Sequence, residues 1–342
     1  MLIVILVGVA LLGLLIWRAG ARYALQRLLQ LIVVFVIVTF AILVVMRIGA
    51  RNPTELAFRM LGGQPSPDVA ANAVKDYHLD RNLVVQYLYW LRDFFVHQDL
   101  GYSLKDNQTV AKLLGPRVMT TVLLGLYAII FGLLIAIPTA VLAAYKRDRP
   151  IDRIINLFSF VGFGVPEVVL GVLLKLLFVV HWKIFPAVGT KMYPWNDFGG
   201  HVRNYFLPAL TLAIPLASVY VRFLRSDMIA TLQADFVTLA TAKGASPTRV
   251  LWRHALRNSL FSVVTAVGTQ LGALIGGTVV VEYLFDLEGL GSQLVNSVLS
   301  RDLFTVQSLV AVIVALVVVI NLAVDLTYSV IDPRVRQARA LA

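Results

Sequence analysis

The chain contains no cysteine, which excludes disulfide bridges and thiolate metal sites. Its five histidines are scattered and show no metal-ligand spacing. Neither a GxxxxGKS/T phosphate loop nor a GxGxxG turn occurs, so the chain is not expected to bind or hydrolyse nucleotide by itself. HExxH and GxSxG are also missing, and the long apolar stretches hold no histidine to act as a base, which removes the motivation for an intramembrane enzyme. No cofactor is expected. Charge is scarce: 14% of the 342 residues are Asp, Glu, Lys or Arg, against roughly 25% in an average soluble domain. With 59% hydrophobic residues, the composition is that of an all-α polytopic membrane protein.

A membrane-crossing helix needs about 20 apolar residues, within a range of roughly 17–25. Seven stretches qualify or nearly do: 1–17, 24–46, 118–144, 154–180, 206–225, 259–281 and 304–330. The first has no positive n-region and no A-x-A-like cleavage site, so it reads as a retained extra span ahead of six others, not as a cleaved signal. Arg18 and Arg22 follow it, which orients the N-terminus outside and the C-terminus in the cytoplasm. The segments between spans alternate in charge. Those assigned inside hold 16 basic and 5 acidic residues, those assigned outside 13 and 12. The net charge of +11 is thereby explained by the positive-inside rule, and no basic run interleaved with aromatics remains to suggest nucleic acid.

Residues 1–22 thus form an added span and turn, 23–46 the first core span, 47–117 one long outer segment, and 118–342 the remainder. In the outer segment, Ser66-Pro67-Asp68 predicts a helix running to about Tyr77. Val84, Tyr87, Leu88, Leu91, Phe94 and Phe95 predict a second, over about 83–96. Together they make a small cap, either a packed loop or a docking surface. Trp182, Phe185, Pro186, Tyr193, Pro194 and Trp195 read as an interfacial girdle in the next outer loop.

Within the spans, three groups are ionisable: Glu167, Lys175 and Asp325. Such residues are functional candidates by default. Glu167 follows Pro166, and Lys175 lies about 80° further round the helix. They form either a functional pair or a boundary group and a snorkelling one. Asp325 is expected to form a structural ion pair with Arg222 or Arg225. As an ion relay, the three would suit a secondary transporter, but no internal repeat of broken helices accompanies them. Gly268, Gly272 and Gly276 stand four apart and allow close helix packing, within the bundle or against another subunit. Gly289 and Gly291 mark a loop after the acidic Glu282, Asp286 and Glu288.

The longest polar interruption in the C-terminal two thirds is ADFVTLATAKGASPTRVLWRHALRNSL, residues 234–260. Gly244 suits a helix C-terminus, Ser246 an N-cap and Pro247 a first helical position. The expected structure is two short helices joined by a tight turn. Arg249, Arg253 and Arg257 recur every four residues on one face of the second.

This stretch resembles the cytoplasmic EAA loop of the inner-membrane permease subunits of ABC importers, in the dipeptide/oligopeptide (peptide/nickel) branch. The matching residues are Asp235-Phe236-Val237, Ala240, Ala242-Lys243-Gly244, Ser246, Arg249-Val250 and His254 to Leu260. Similar matches cover nearly the whole chain: Leu79-Asp80-Arg81, Gln86 to Leu88, Asp99-Leu100-Gly101 with Ser103, Leu207 to Leu212, Gly277 to Glu282, and Asp332-Pro333-Arg334. The chain departs from the family at Gly49 to Pro53, at Thr238, Leu239 and Thr241, and in carrying residues 1–22 at all.

The resemblance implies a six-helix type I importer core and a permease forming half of a pore in the bacterial inner membrane. Its implied partners are a homologous second permease, two cytoplasmic ATPases, an extracytoplasmic solute-binding protein and the surrounding lipid. It implies that the loop at 226–260 couples to the ATPase, with Gly244 making the turn. The arginines would meet either acidic groups of the ATPase or lipid headgroups. The implied solute is a di- or oligopeptide, with nickel, glutathione or haem as alternatives within the class.

Overall fold

A computed structural model describes residues 2–19, 21–48, 50–61, 66–103, 105–186, 195 and 197–331. Gly49, Tyr193, Pro194 and Asp332-Pro333-Arg334 lie outside the described residues. Five helices are long and apolar enough to cross a membrane, and a sixth crossing is a bent pair. The chain divides into two compact units, Met1–Thr120 with Gly289–Ala342, and Thr121–Glu288.

In the first unit, α1 (Leu2–Ala19) and α2 (Ala21–Arg47) pack on α14 (Leu303–Ile331). Leu15, Ala24, Leu31, Leu322 and Leu326 form the buried seam. The apolar part of α1 described with side chains is Leu6–Trp17. The cap follows: α3 (Pro53–Leu61), α4 (Pro67–Asp76), α5 (Leu83–Arg92) with a π-helical turn Asp93–His97, and a ribbon of β1 (Tyr102–Ser103) and β2 (Gln108–Thr109). The strands pair antiparallel, Tyr102 opposite Thr109. α4 starts as its sequence predicts: Ser66 accepts from the Val69 amide at 3.4 Å and Pro67 is the first helical residue. Asn82 caps α5 in the same way at 2.9 Å.

The cap is held by apolar packing. Leu56, Met60, Ala70 and Leu79 bury against Phe304 and Val306, and Phe94, Leu100 and Val110 against Leu290, Leu309 and Leu316. Tyr87 is buried and its hydroxyl lies 2.7 Å from Thr39 Oγ1 of α2. The segment after Glu288 is not a loop. It forms α13 (Leu290–Leu299), with Gly289 at the N-cap position and its N–H donating to Ser292 Oγ at 3.1 Å. Glycine read as a loop signal is here a helix start, a position it shares with Ser, Thr, Asn and Asp.

Asp302, 1% exposed, caps α14. It accepts from the Thr305 amide at 3.2 Å and from the hydroxyls of Ser103 and Thr305 at 2.6 and 2.7 Å. This ties the ribbon to the start of the last span.

The second unit is built on α9 (Phe198–Leu232), 35 residues long despite Pro208 and Pro215 inside it. Around it pack α7 (Pro150–Gly164), α8 (Glu167–Leu174) continued as a π-helical segment Lys175–His181, and α12 (Leu256–Leu284). α6 (Val110–Tyr145) leads into the unit. The stretch expected as one span over 154–180 is two helices bent by 102° at Val165 and Pro166. Proline disfavours helical geometry in the residue before it, and Val165 is extended. The bend lets α8 lie close along α9 and α12. A Cβ at Gly171 would come within 2.5 Å of Leu284 Cδ2 and 3.2 Å of Thr211 Cγ2, so a larger residue there would have to displace the Leu284 side chain.

Candidate functional site

The polar stretch after α9 begins with α10 (Asp235–Ala242), whose first residue is an acid suited to a helix N-terminus. The helix ends in a Schellman turn. The Gly244 N–H donates to Thr241 O at 2.9 Å and the Ala245 N–H to Ala240 O at 3.1 Å. Gly244 has φ +84°, and a Cβ there would meet nothing within 4 Å. The demand for glycine is therefore conformational: an L-residue in the left-handed region costs roughly 1 kcal/mol.

Ser246 then accepts from the Arg249 amide at 3.4 Å, and Pro247 opens the next helix. This helix is not short. α11 (Pro247–Arg249) passes through a π-helical segment, Val250–Ala255, directly into α12, giving one 38-residue helix, Pro247–Leu284. The turn thus joins a two-turn helix to a complete membrane span.

Packing separates the two faces of the stretch. α10 contacts the π-helical segment, and Val237, Val250, Leu251 and Ala255 are the residues buried. Thr231 Oγ1 and Ser259 Oγ lie 3.2 Å apart and join the end of α9 to the start of α12. On the other face, Asp235, Ala242, Lys243, Gly244, Ser246, Arg249, Arg253 and Arg257 are exposed, and Ala240 and His254 half-buried. None of Lys243, Arg249, Arg253 and Arg257 forms an ion pair among the described residues. Beside them Phe236, Leu239 and Trp252 are 44%, 57% and 49% exposed. Trp252 is not among the residues that the sequence pattern singles out in this stretch. An indole in an otherwise polar stretch was the available signal. Cations without partners next to uncovered apolar side chains make a surface suited to another protein.

Of the three intramembrane ionisable groups, Glu167 and Lys175 belong to the second unit and Asp325 to the first. Lys175 donates to Leu284 O at 2.6 Å and lies 3.6 Å from Asp286 Oδ2. It caps the C-terminal end of α12, where carbonyls lack intrahelical partners. Glu167 faces α12 seven residues earlier: a Cβ at Gly277 would overlap its carboxylate and stand 3.0 Å from Leu212 Cδ2. Glu167 and Lys175 therefore follow α12 in parallel and do not pair.

Asp325 forms a structural ion pair, but not with Arg222 or Arg225. Its partner is Arg27 at 2.5 Å, with the Tyr23 hydroxyl at 3.5 Å. Arg225 instead holds buried Asp152 through two bonds of 2.6 Å, and Arg222 lies over the Phe163 ring at 4.8 Å. Proximity to one end of a span does not distinguish among several arginines.

Of the glycine series, Gly272 and Gly276 are exposed and a Cβ at either would meet nothing within 4 Å. That face of α12 is not used for packing among the described residues.

Comparison with known proteins agrees with this architecture. Residues 128–337 match the family profile described as the inner membrane component of binding-protein-dependent transport systems. Residues 21–125 match the profile of that component's N-terminal region. Both matches leave the first 20 residues outside. Relatives align along nearly their whole lengths. A putative peptide transport system permease of Brucella abortus is 36% identical, covering 91% of this chain and 98% of the relative. An oligopeptide transport system permease of Bacillus subtilis is 34% identical, with 92% and 99% covered. A probable peptide ABC transporter permease of Sinorhizobium fredii is 31% identical, with the same coverage. With a profile spanning most of its length and six possible crossings, the chain belongs to the family of integral inner membrane components of binding-protein-dependent transport systems.

Proposed function

We propose that this chain is the permease subunit of an ATP-driven peptide importer of the bacterial cytoplasmic membrane. It forms half of the pore beside a homologous second permease. The single observation that carries the mechanism is the Gly244 turn. It presents four unpaired cations and three exposed apolar side chains at the end of an unbroken 38-residue helix. A groove on a cytoplasmic ATPase would receive that turn, with Asp235, Ala240, Ala242, Lys243, Ser246, His254 and the arginines around it. Because the helix continues into α12, movement of the turn moves the span with it. Closure of two ATPases would then switch the bundle between outward and inward access, a rigid-element transition. ATP hydrolysis belongs to the partner subunits.

Peptides are the solute named for the relatives, and an extracytoplasmic binding protein would deliver them. The open face at Gly272 and Gly276 suits the second permease, since small residues let helices approach closely. The charge asymmetry supports a cytoplasmic position for the Gly244 turn. The testing substitution is Gly244→Leu. Its Cβ would meet nothing within 4 Å and its left-handed backbone costs only roughly 1 kcal/mol, so membrane insertion should persist while peptide uptake is abolished. Normal uptake with normal ATPase stimulation in that variant would exclude the docking role.

A further inference from the structure

A groove of about 460 Å³ runs along the first unit between α1 and α2. Val9 and Leu12 of α1 form one wall, Leu28, Ile32 and Val36 of α2 the other, and Leu322 of α14 lies in its floor. Every residue that lines it is apolar. Packing explains its shape. The end of α1 and the start of α2 are sealed together over α14 by Leu15, Ala24 and Leu326. Further along, α1 stays on α14, where a Cβ at Gly8 would stand 3.5 Å from Val319 Cγ2, and the gap to α2 is left unfilled. Val9 and Ile32, on opposite walls, are 63% and 48% exposed. The family profiles start at residue 21, so the wall that α1 supplies lies outside the part of the chain shared with the family.

The depth of the groove follows from α2. From Arg27 to Arg47 that helix covers about 30 Å, the thickness of a bilayer's hydrocarbon core. Leu28 to Val36 occupies roughly the 12 Å next to Arg27, which is within a single leaflet of about 15 Å. The far end is closed by Leu91 and Phe95 of the cap. Phe35 holds that end in place, its ring centre 5.9 Å from Phe94 and 5.5 Å from Phe95. A wholly apolar recess stays dry and takes up apolar molecules. At this depth in a membrane, those are lipid acyl chains.

A second observation concerns charge. Residues 1–54 hold no Asp or Glu, while Arg18, Arg22 and Arg27 gather at the end of the groove away from the cap. Asp325 lies about one turn beyond Leu322 on α14, which puts its pair with Arg27 at that same end. Arg27 donates from Nε to Asp325 and from Nη1 to Gln30 at 3.2 Å. Its Nη2 has no partner among the described residues, and the side chain is 33% exposed. A guanidinium nitrogen open to the surface, one leaflet's depth from a closed apolar end, suits a phosphate oxygen.

We infer that the groove holds one acyl chain of an anionic phospholipid, with the phosphate at Arg27 and the chain end at Phe95. The acyl chain completes the packing of α1 against α2, so the helix outside the family profiles is seated partly by lipid. The positive-inside rule makes this a lipid of the cytoplasmic leaflet. The groove, its depth and the arginine depend neither on that orientation nor on the importer reading.

The test uses the full-length chain in nanodiscs that contain a phosphatidylglycerol with a photoactivatable diazirine midway along one acyl chain, the labelled residues being read by peptide mass spectrometry. Labels should concentrate on Val9, Leu12 and Ile32 over Val33, Val34 and Ile37, which are just as exposed on α2 but do not line the groove. Val9→Trp fills the groove from an exposed wall position. It should leave the unfolding midpoint in place and lower groove labelling about fivefold or more, because more than one buried methylene is displaced. A phosphatidylcholine with the same chain should label about fivefold less, the contribution of one basic residue beside an anionic headgroup. Arg27→Gln combined with Asp325→Asn should abolish that preference while groove labelling persists. Even labelling around α2, or unchanged labelling in Val9→Trp, would identify ordinary boundary lipid and overturn the site. A groove without label would overturn it outright, and a photoreactive side chain at Val9 would then show whether a second copy of the chain fills the space. Equal labelling by the two lipids would overturn the placement of the phosphate at Arg27.

Discussion

Two polar breaks precede long spans in this chain, and the fold treats them oppositely. Before α14, Asp302 is buried and saturated: one amide and two hydroxyls donate to it, one from a ribbon 199 residues away. Before the α11–α12 run, Ser246 makes the equivalent cap in an exposed position, and four neighbouring cations form no ion pair among the described residues. Both are good helix starts. A polar group placed inside must be satisfied by the chain itself. A polar group left outside and unpaired holds nothing together and remains free for another molecule. The first kind reports on architecture, the second on function.

The largest effect that separates the two breaks is on transport. Gly244→Leu should abolish uptake with normal amounts of protein in the membrane, read by solute uptake against immunoblot. Asp302→Ala should act in the reverse sense. It removes a cap and strands two buried hydroxyls, costing about 3 kcal/mol, visible as a lowered unfolding midpoint in detergent. A comparable midpoint in that variant would remove the architectural role. Ser246→Ala should cost less, about 0.5–1 kcal/mol, because its cap is exposed and long. Smallest of all, Arg249→Ala and Arg253→Ala should each change stability by less than about 0.5 kcal/mol while reducing ATPase stimulation by peptide. If they destabilise the isolated chain as much as Asp302→Ala does, the contrast between the two breaks fails.

Local features were legible in the sequence. Ser66-Pro67 set the start of α4, and Gly244-Ala245-Ser246-Pro247 set a turn, because capping and positive φ depend on a few consecutive residues. Seven apolar stretches could be counted because crossing a membrane requires length and apolarity together. Gly289 misled because a glycine serves equally as a loop residue or an N-cap. The bend at Pro166 was visible as a break but not as 102°. Proline removes one hydrogen bond, whereas the angle follows from how closely α8 can lie against α9 and α12 at Gly171.

The sequence by itself therefore determined the helical class, five of the expected spans, the charge asymmetry and the chemistry of the Gly244 turn. Each depends on composition or on neighbours within one or two helical turns. Only the tertiary structure decided which arginine meets Asp325, that Lys175 caps α12, and that the second arm of the turn is a whole span. Those outcomes depend on residues up to 298 positions apart. Several chemically equivalent partners were available for each, and packing alone chose among them.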